Sequence, residues 1–148
     1  MTKAEDHLRT GVAELESLFA LHGFRFTQLD SGSSSGGAFA RGEYRRGDRF
    51  VELHFRQSLG LISYHVGSAS LGHEEYVRAV RAIDHIAEAS AYPGFFKDSI
   101  SEFRALADDL RRFGPRFLAG TDDDFQELQE WVDQHPKSTG LAALDDRI

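Results

Sequence analysis

The sequence predicts an α+β fold: a four-stranded antiparallel meander, an N-terminal helix, and about three C-terminal helices packed mainly on one face of the sheet. Three observations predict it. Residues 38–67, AFARGEYRRGDRFVELHFRQSLGLISYHVG, read as three extended segments joined by two tight turns. Within them apolar residues alternate with polar ones, the period of a half-buried strand. On both sides of this stretch, apolar residues recur at three- and four-residue spacing, the period of amphipathic helices. A chain of 148 residues suits one domain with one core, with residues 136–148 as a loosely held tail.

Residues 4–22 form the first helix by pattern, with Leu8, Val12, Leu15, Leu18, Phe19 and His22 on one stripe. Thr2 and Glu5 are spaced for a capping box, and Gly23 supplies a left-handed stop. Gly11, a weak helix former, marks a close approach, expected against the sheet. Residues 24–29 are the first strand. SGSSSGG, residues 31–37, has the composition of a flexible hairpin loop. It lacks the lysine and following helix of a phosphate-binding loop. The next turn contains Arg46 and Gly47, and a type I′ hairpin there pairs Glu43 with Phe50, Arg41 with Glu52, and Phe39 with His54. Arg46, Gly47 and Asp48 spell an adhesion tripeptide, here read as turn chemistry. The second turn, near Ser58 and Leu59, pairs Phe55 with Ile62, Leu53 with Tyr64, and Val51 with Val66. Both registers put Val51, Leu53, Phe55, Ile62, Tyr64 and Val66 on one face, opposite Ala38, Ala40 and Gly42, whose small size admits a helix.

Residues 67–72 read as a turn into a helix over 73–88, with Tyr76, Val77, Val80, Ile83 and Ala87 buried and Glu74 and Glu75 favouring its N-terminus. Ala91 to Phe95 break the pattern, and the aromatics of Tyr92 to Phe96 are expected to plug the core edge rather than form an exposed recognition loop. A helix over 99–113, capped by Asp98, turns Phe103, Leu106, Ala107, Leu110 and Phe113 inward and ends at Gly114 and Pro115. The last helix runs over 122–134, with Phe125, Leu128 and Val132 on one side and Trp131 nearby, and stops before Pro136.

Composition removes several classes of function. There is no cysteine, hence no disulfide, thiolate zinc site or cysteine nucleophile. No apolar run reaches the roughly 20 residues of a membrane span. The N-terminal stretch has no apolar signal core, so the cytoplasm is the expected compartment. A net charge of −7 disfavours nucleic acid. The charge is uneven: Arg41, Arg45, Arg46, Arg49 and Arg56 cluster in the meander, whereas Asp108, Asp109 and Asp122 to Asp124 come later. Such segregation suits intramolecular pairing or a charged partner.

Residues 52–67, ELHFRQSLGLISYHVG, with the LGHEEYVRAV helix start, resemble small uncharacterised bacterial proteins. The order of helix, antiparallel meander and helices is similar to that of compact bacterial immunity proteins. That resemblance implies a protein that binds and neutralises a toxin, and it carries no catalytic residues.

The second sheet face holds the candidate site: Phe39, Arg41, Phe50, Glu52, His54 and His65, with Glu43, Arg56, Leu61 and Ser63 around them. Aromatic and arginine side chains dominate interface energies, so this mixed face reads as a binding surface for a protein partner or a second copy of the chain. The expectation is a non-enzymatic binding protein without a cofactor. The alternative is a small-ligand or metal-dependent enzyme using Glu52, His54 and His65 as ligands or as an oriented base. Ser63 near His65 lacks a nucleophile turn. Asp122 to Asp124 lack calcium-loop spacing and read as a helix start. His7, His22, His73, His85 and His135 read as surface or cap residues.

Overall fold

The structure is a computed structural model that describes residues 3–34, 37–56, 58–92 and 99–136. Two short helices come first, α1 (Lys3–Val12) and α2 (Glu16–Leu21). Five strands follow: β1 (Arg25–Ser34), β2 (Gly37–Arg46), β3 (Arg49–Arg56), β4 (Ser58–Val66) and β5 (Ala69–Gly72). They lie side by side in chain order in one antiparallel sheet. Four helices follow among the described residues, α3 (His73–Ile83), α4 (Ser99–Phe113), α5 (Pro115–Leu118) and α6 (Asp122–Gln134).

Among the described residues the sheet has five strands, not the four expected. Gly67 adopts φ 59°, which lets the chain reverse within two residues, and Ala69–Gly72 returns to pair with Ser63 to Val66. The first strand also outruns its expected end. Most of the serine- and glycine-rich stretch is ladder rather than loop, pairing Ser31 with Ala40 and Gly32 with Phe39. The Phe39 ring lies over Gly32, 3.4 Å from where a Cβ would stand, and so supplies the apolar cover the glycine lacks.

Both hairpin registers differ from expectation by the same step. Arg41 pairs with His54 and Glu43 with Glu52, while Leu53 pairs with Ile62 and Val51 with Tyr64. Gly47, at φ 60°, takes the first loop position and Asp48 the second, one residue later than the type I′ reading. Glycine first, followed by a residue of negative φ, suits a type II′ turn. The slip changes the partner by two positions, so every side chain keeps its face. Val51, Leu53, Phe55, Ile62, Tyr64 and Val66 are all 6% exposed or less.

The N-terminal helix is two helices. Glu14 and Leu15 bond back to Gly11 and Val12 in tight turns. The Tyr44 hydroxyl, 3.1 Å from the Val12 carbonyl and 2.8 Å from a Glu16 carboxylate oxygen, occupies the position a continuing ladder would need. Gly11 does mark a close approach, but to α4: a Cβ there would stand 2.1 Å from the Phe103 ring. The third helix stops at Ile83 rather than 88. His85 takes a left-handed φ of 56° and the Ile86 amide bonds the Arg81 carbonyl, a Schellman closure that leaves Ala87 exposed. The ranges of α4 and α6 match expectation, and Thr121 caps α6 through the Asp124 amide. Asp98, residues 93–96 and the tail after Pro136 lie outside the described residues; Tyr92 is buried.

The helices and the inner sheet face enclose an aromatic core. Phe19 stacks on Tyr44 at 4.1 Å and Tyr64 on Tyr76 at 4.4 Å, with Phe24, Phe117 and Phe125 filling between them. Two of the five meander arginines belong to this layer. Arg46 donates to the carbonyls of His22 and Leu118. Arg49, 4% exposed, donates to the Phe117 carbonyl and pairs with Asp122 at 2.8 Å. Part of the charge segregation is therefore internal: the basic hairpin holds the acidic start of α6.

Candidate functional site

On the outer face the strand alternation brings Phe39, Arg41, Phe50, Glu52, His54 and His65 together, each half-buried. The rows differ from those expected. Arg45, Phe50 and His65 are successive cross-strand neighbours on β2, β3 and β4. The Arg45 guanidinium lies 4.2 Å from the Phe50 ring centre, and His65 stacks on the other side at 4.3 Å and 5°. Towards the other end of the strands, Phe39 stacks with His54 at 5.9 Å and 10°, and the Arg56 guanidinium lies 5.5 Å from the same ring. Each aromatic ring thus carries an arginine and a histidine, arrangements worth up to about 1 kcal/mol where solvent reaches them.

Between these groups runs an ion-pair string. Arg41 binds Asp30 at 2.8 Å and Glu52 at 3.0 Å, so the expected Arg41–Glu52 pair forms, but diagonally. Glu52 itself faces Glu43 across the ladder. Like charges directly opposed are destabilising. Arg45, 2.9 Å from Glu43, and Arg41, on Glu52, offset that repulsion. Ser63 hydrogen-bonds His65 Nε2 at 2.9 Å. Burial holds His65 below its ordinary range, helped by Arg45 and opposed by Glu52 and Glu43. The side chain of Leu61 lies outside those described.

The register bears on the alternative reading of Glu52, His54 and His65. Glu52 is committed to Arg41, His54 to the Phe39 stack and His65 to Phe50 and Ser63. Among the described residues no three His, Asp or Glu side chains gather as metal ligands would. The outer face is open, and its side chains are organised by stacking and pairing around a partly wet surface.

A second polar cluster lies under the inner face, and its residues were not expected there. His73, read as a surface or cap residue, is 6% exposed, and Asp109, read only as one of the later acidic residues, is fully buried. The Tyr64 hydroxyl lies 2.7 Å from His73 Nδ1, and His73 Nε2 lies 2.9 Å from Asp109 Oδ2. Asp109 also accepts from the Ser90 hydroxyl at 2.5 Å, the Ala91 amide at 2.6 Å and the Tyr92 amide at 3.0 Å, with Arg112 at 3.2 Å. Burial alone would raise the Asp109 pKa, but the bonds from His73, Ser90, Ala91 and Tyr92 win and hold it below the usual carboxylate range. Burial, with Tyr76 and Asp109 adding to it, pushes the Tyr64 hydroxyl well up, so it keeps its proton. The ionised carboxylate can only accept, so His73 Nε2–H donates to it, and Nδ1 is left to the Tyr64 hydroxyl. Both histidine nitrogens are taken. The cluster ties β4, α3, α4 and residues 90–92 together and leaves no imidazole nitrogen for a substrate.

The pattern held a signal for this cluster. Asp109 follows Leu106 by three on the inward stripe of α4, and His73 precedes Tyr76 and Val77 by three and four on that of α3. A polar residue on an apolar stripe implies a buried partner. No match to a protein family, to a curated protein or to a solved structure was found for this chain.

Proposed function

We propose that this protein is a non-catalytic binding protein whose docking surface is the outer face of the sheet. The partner is another protein, one that presents carboxylates to Arg45 and Arg56 around the Phe50 and Phe39 rings. A toxin-like partner is the specific form that the immunity-protein layout implies. The observation that carries this reading is the pair of aromatic–arginine–histidine groups on an open sheet. Their side chains are held in place before any partner arrives, which lowers the ordering cost of association. Charge supports the choice of an acidic contact. Arg25, Arg41, Arg45 and Arg56 stand on this face against Asp30, Glu43 and Glu52, while the whole chain carries −7.

The test compares wild type with Arg45→Glu, Phe50→Ser and, on the helical side, Glu130→Lys. Proteins retained by the wild type from the source organism are purified and titrated back singly. The reading expects a stoichiometric partner whose affinity falls at least about tenfold with either face variant and weakens with salt. Glu130→Lys should leave it unchanged. Partners that tolerate both face variants overturn the reading. Mass measured across concentration tests the second-copy version: a dimer broken by Phe50→Ser assigns the face to self-association.

A further inference from the structure

The strand β1 is an edge: among the described residues it pairs with β2 on one side and with no strand on the other. Free edges template a further strand, and proteins blunt them with short length, lysine, proline or a bulge. The opposite edge, β5, is only four residues long. β1 is ten residues long and has neither lysine nor proline. Its one blunting feature is a bulge at Leu29, where the register steps from Gln28 to Asp30. The charges along this edge are unbalanced. Arg25 stands opposite Arg45, whose guanidinium is taken by Glu43 and the Phe50 ring. Arg25 is exposed and pairs with no acidic side chain among the described residues. Asp30, also exposed, meets Arg41 through Oδ1.

We propose that β1 pairs antiparallel with β1 of a second copy of this chain, about a two-fold axis at Thr27. A two-fold normal to the sheet keeps outer side chains outer, so residues that face each other must share a face. Without a bulge, Arg25 and Asp30, five positions apart, would lie on opposite faces. With it, Arg25, Thr27 and Asp30 all stand on the outer face, opposite Arg45, Glu43 and Arg41. When Thr27 meets its own copy, Arg25 of each chain therefore faces Asp30 of the other. Opposed threonines and opposite charges both favour a ladder. Gln28 and Leu29 together then oppose Phe26 of the second copy, as they already oppose Gly42 on β2. The bulge that blunts the edge towards an arbitrary strand is what brings these charges into line. The pairing sets the two Phe50 faces side by side and covers neither, so it does not depend on the docking surface.

The experiment is sedimentation equilibrium from about 10 μM to about 1 mM, a range set by a pairing too short to bury the roughly 1,200 Å² of a standard interface. A monomer–dimer equilibrium that weakens with salt is expected. Arg25→Asp and Asp30→Arg alter exposed side chains, and circular dichroism checks that each variant folds. Each variant alone sets like charges against each other across the two-fold and should weaken dimerisation at least about tenfold. Mixed one to one, the two variants restore both opposite-charge pairs and should associate with each other. Phe50→Ser should leave the dimer unchanged. In isotope-labelled wild type, amide shifts should move with concentration at Thr27 to Asp30 and not at Phe50. A wild type that stays monomeric to about 1 mM overturns the proposal. So do a dimer that survives either single variant, a mixture that fails to associate, shifts that leave Thr27 to Asp30 unmoved, and a dimer lost with Phe50→Ser.

Discussion

Glu52 and Asp109 are both carboxylates with an arginine at hand, Arg41 at 3.0 Å and Arg112 at 3.2 Å, and they sit in different media. The Glu52 side chain is 28% exposed and Asp109 is fully buried. On the outer face water remains a competing partner, so each ion pair is weak and replaceable. Under the inner face nothing replaces a lost partner, so Asp109 gathers five donors from three parts of the fold: α3, residues 90–92 and its own helix. One face can exchange its contacts for those of a docking protein; the other would lose its packing if it tried. Polar residues alone therefore do not mark a site. What distinguishes the two clusters is the cost of breaking them.

The largest expected effect comes from Asp109→Ala. It strands His73 and the Ala91 and Tyr92 amides without an acceptor, and urea unfolding should show a loss of about 3–5 kcal/mol. Acid should act on the same group. Its folded pKa lies below the unfolded value of about 3.9, so its contribution is complete above that value and disappears as pH falls through the folded one. Asp109→Asn, compared with wild type in urea at neutral and acid pH, should flatten that part of the profile. An unchanged profile would mean that the buried cluster is not what holds the two layers together.

A pair of glycines sharpens the same contrast. Gly11→Ala drives a methyl into the buried Phe103 ring, and calorimetry should show a net loss of about 1–3 kcal/mol despite the better helix propensity. Gly32→Ala meets the Phe39 ring at ordinary contact distance on the open face and should shift stability by about 0.5 kcal/mol or less. Equal losses at the two sites would remove the distinction between a packed and an open face.

The outer ion pairs should be worth least. Glu52→Gln is expected to change stability by about 1 kcal/mol or less, and less again in high salt. His65 gives the smallest signal, with its direction fixed by burial. Its folded pKa is lowered, so the unfolded chain takes the proton more readily, and stability should fall as pH drops below about 6.5. His65→Gln should remove that slope between about pH 8 and about pH 5. A slope of the opposite sign would mean that Glu52 and Glu43 outweigh burial at this ring.

The strand period alone determined which side chains share a face. Val51, Leu53 and Phe55 had to lie opposite Phe50, Glu52 and His54 whatever the register, because slips of two leave the alternation intact. The apolar stripes of α4 and α6 and the stops at Gly23 and Gly114 were legible for a similar reason: they depend on neighbours within one or two turns. The tertiary structure decided everything that needed a partner distant in sequence. Tyr44, on β2, bonds the last carbonyl of α1 from across the core. Ala69–Gly72 becomes a strand only because β4 lies beside it. Phe50 rather than Glu52 stands beside His65 because the β3–β4 ladder closes at Arg56 and Ser58 and shifts register between Leu53 and Phe55. Asp109 is buried because α3 and residues 90–92 bring it donors from outside its own helix. Local periodicity fixes orientation, which is a property of one segment; pairing and burial are properties of two or more, and they take effect only once the chain has closed on itself.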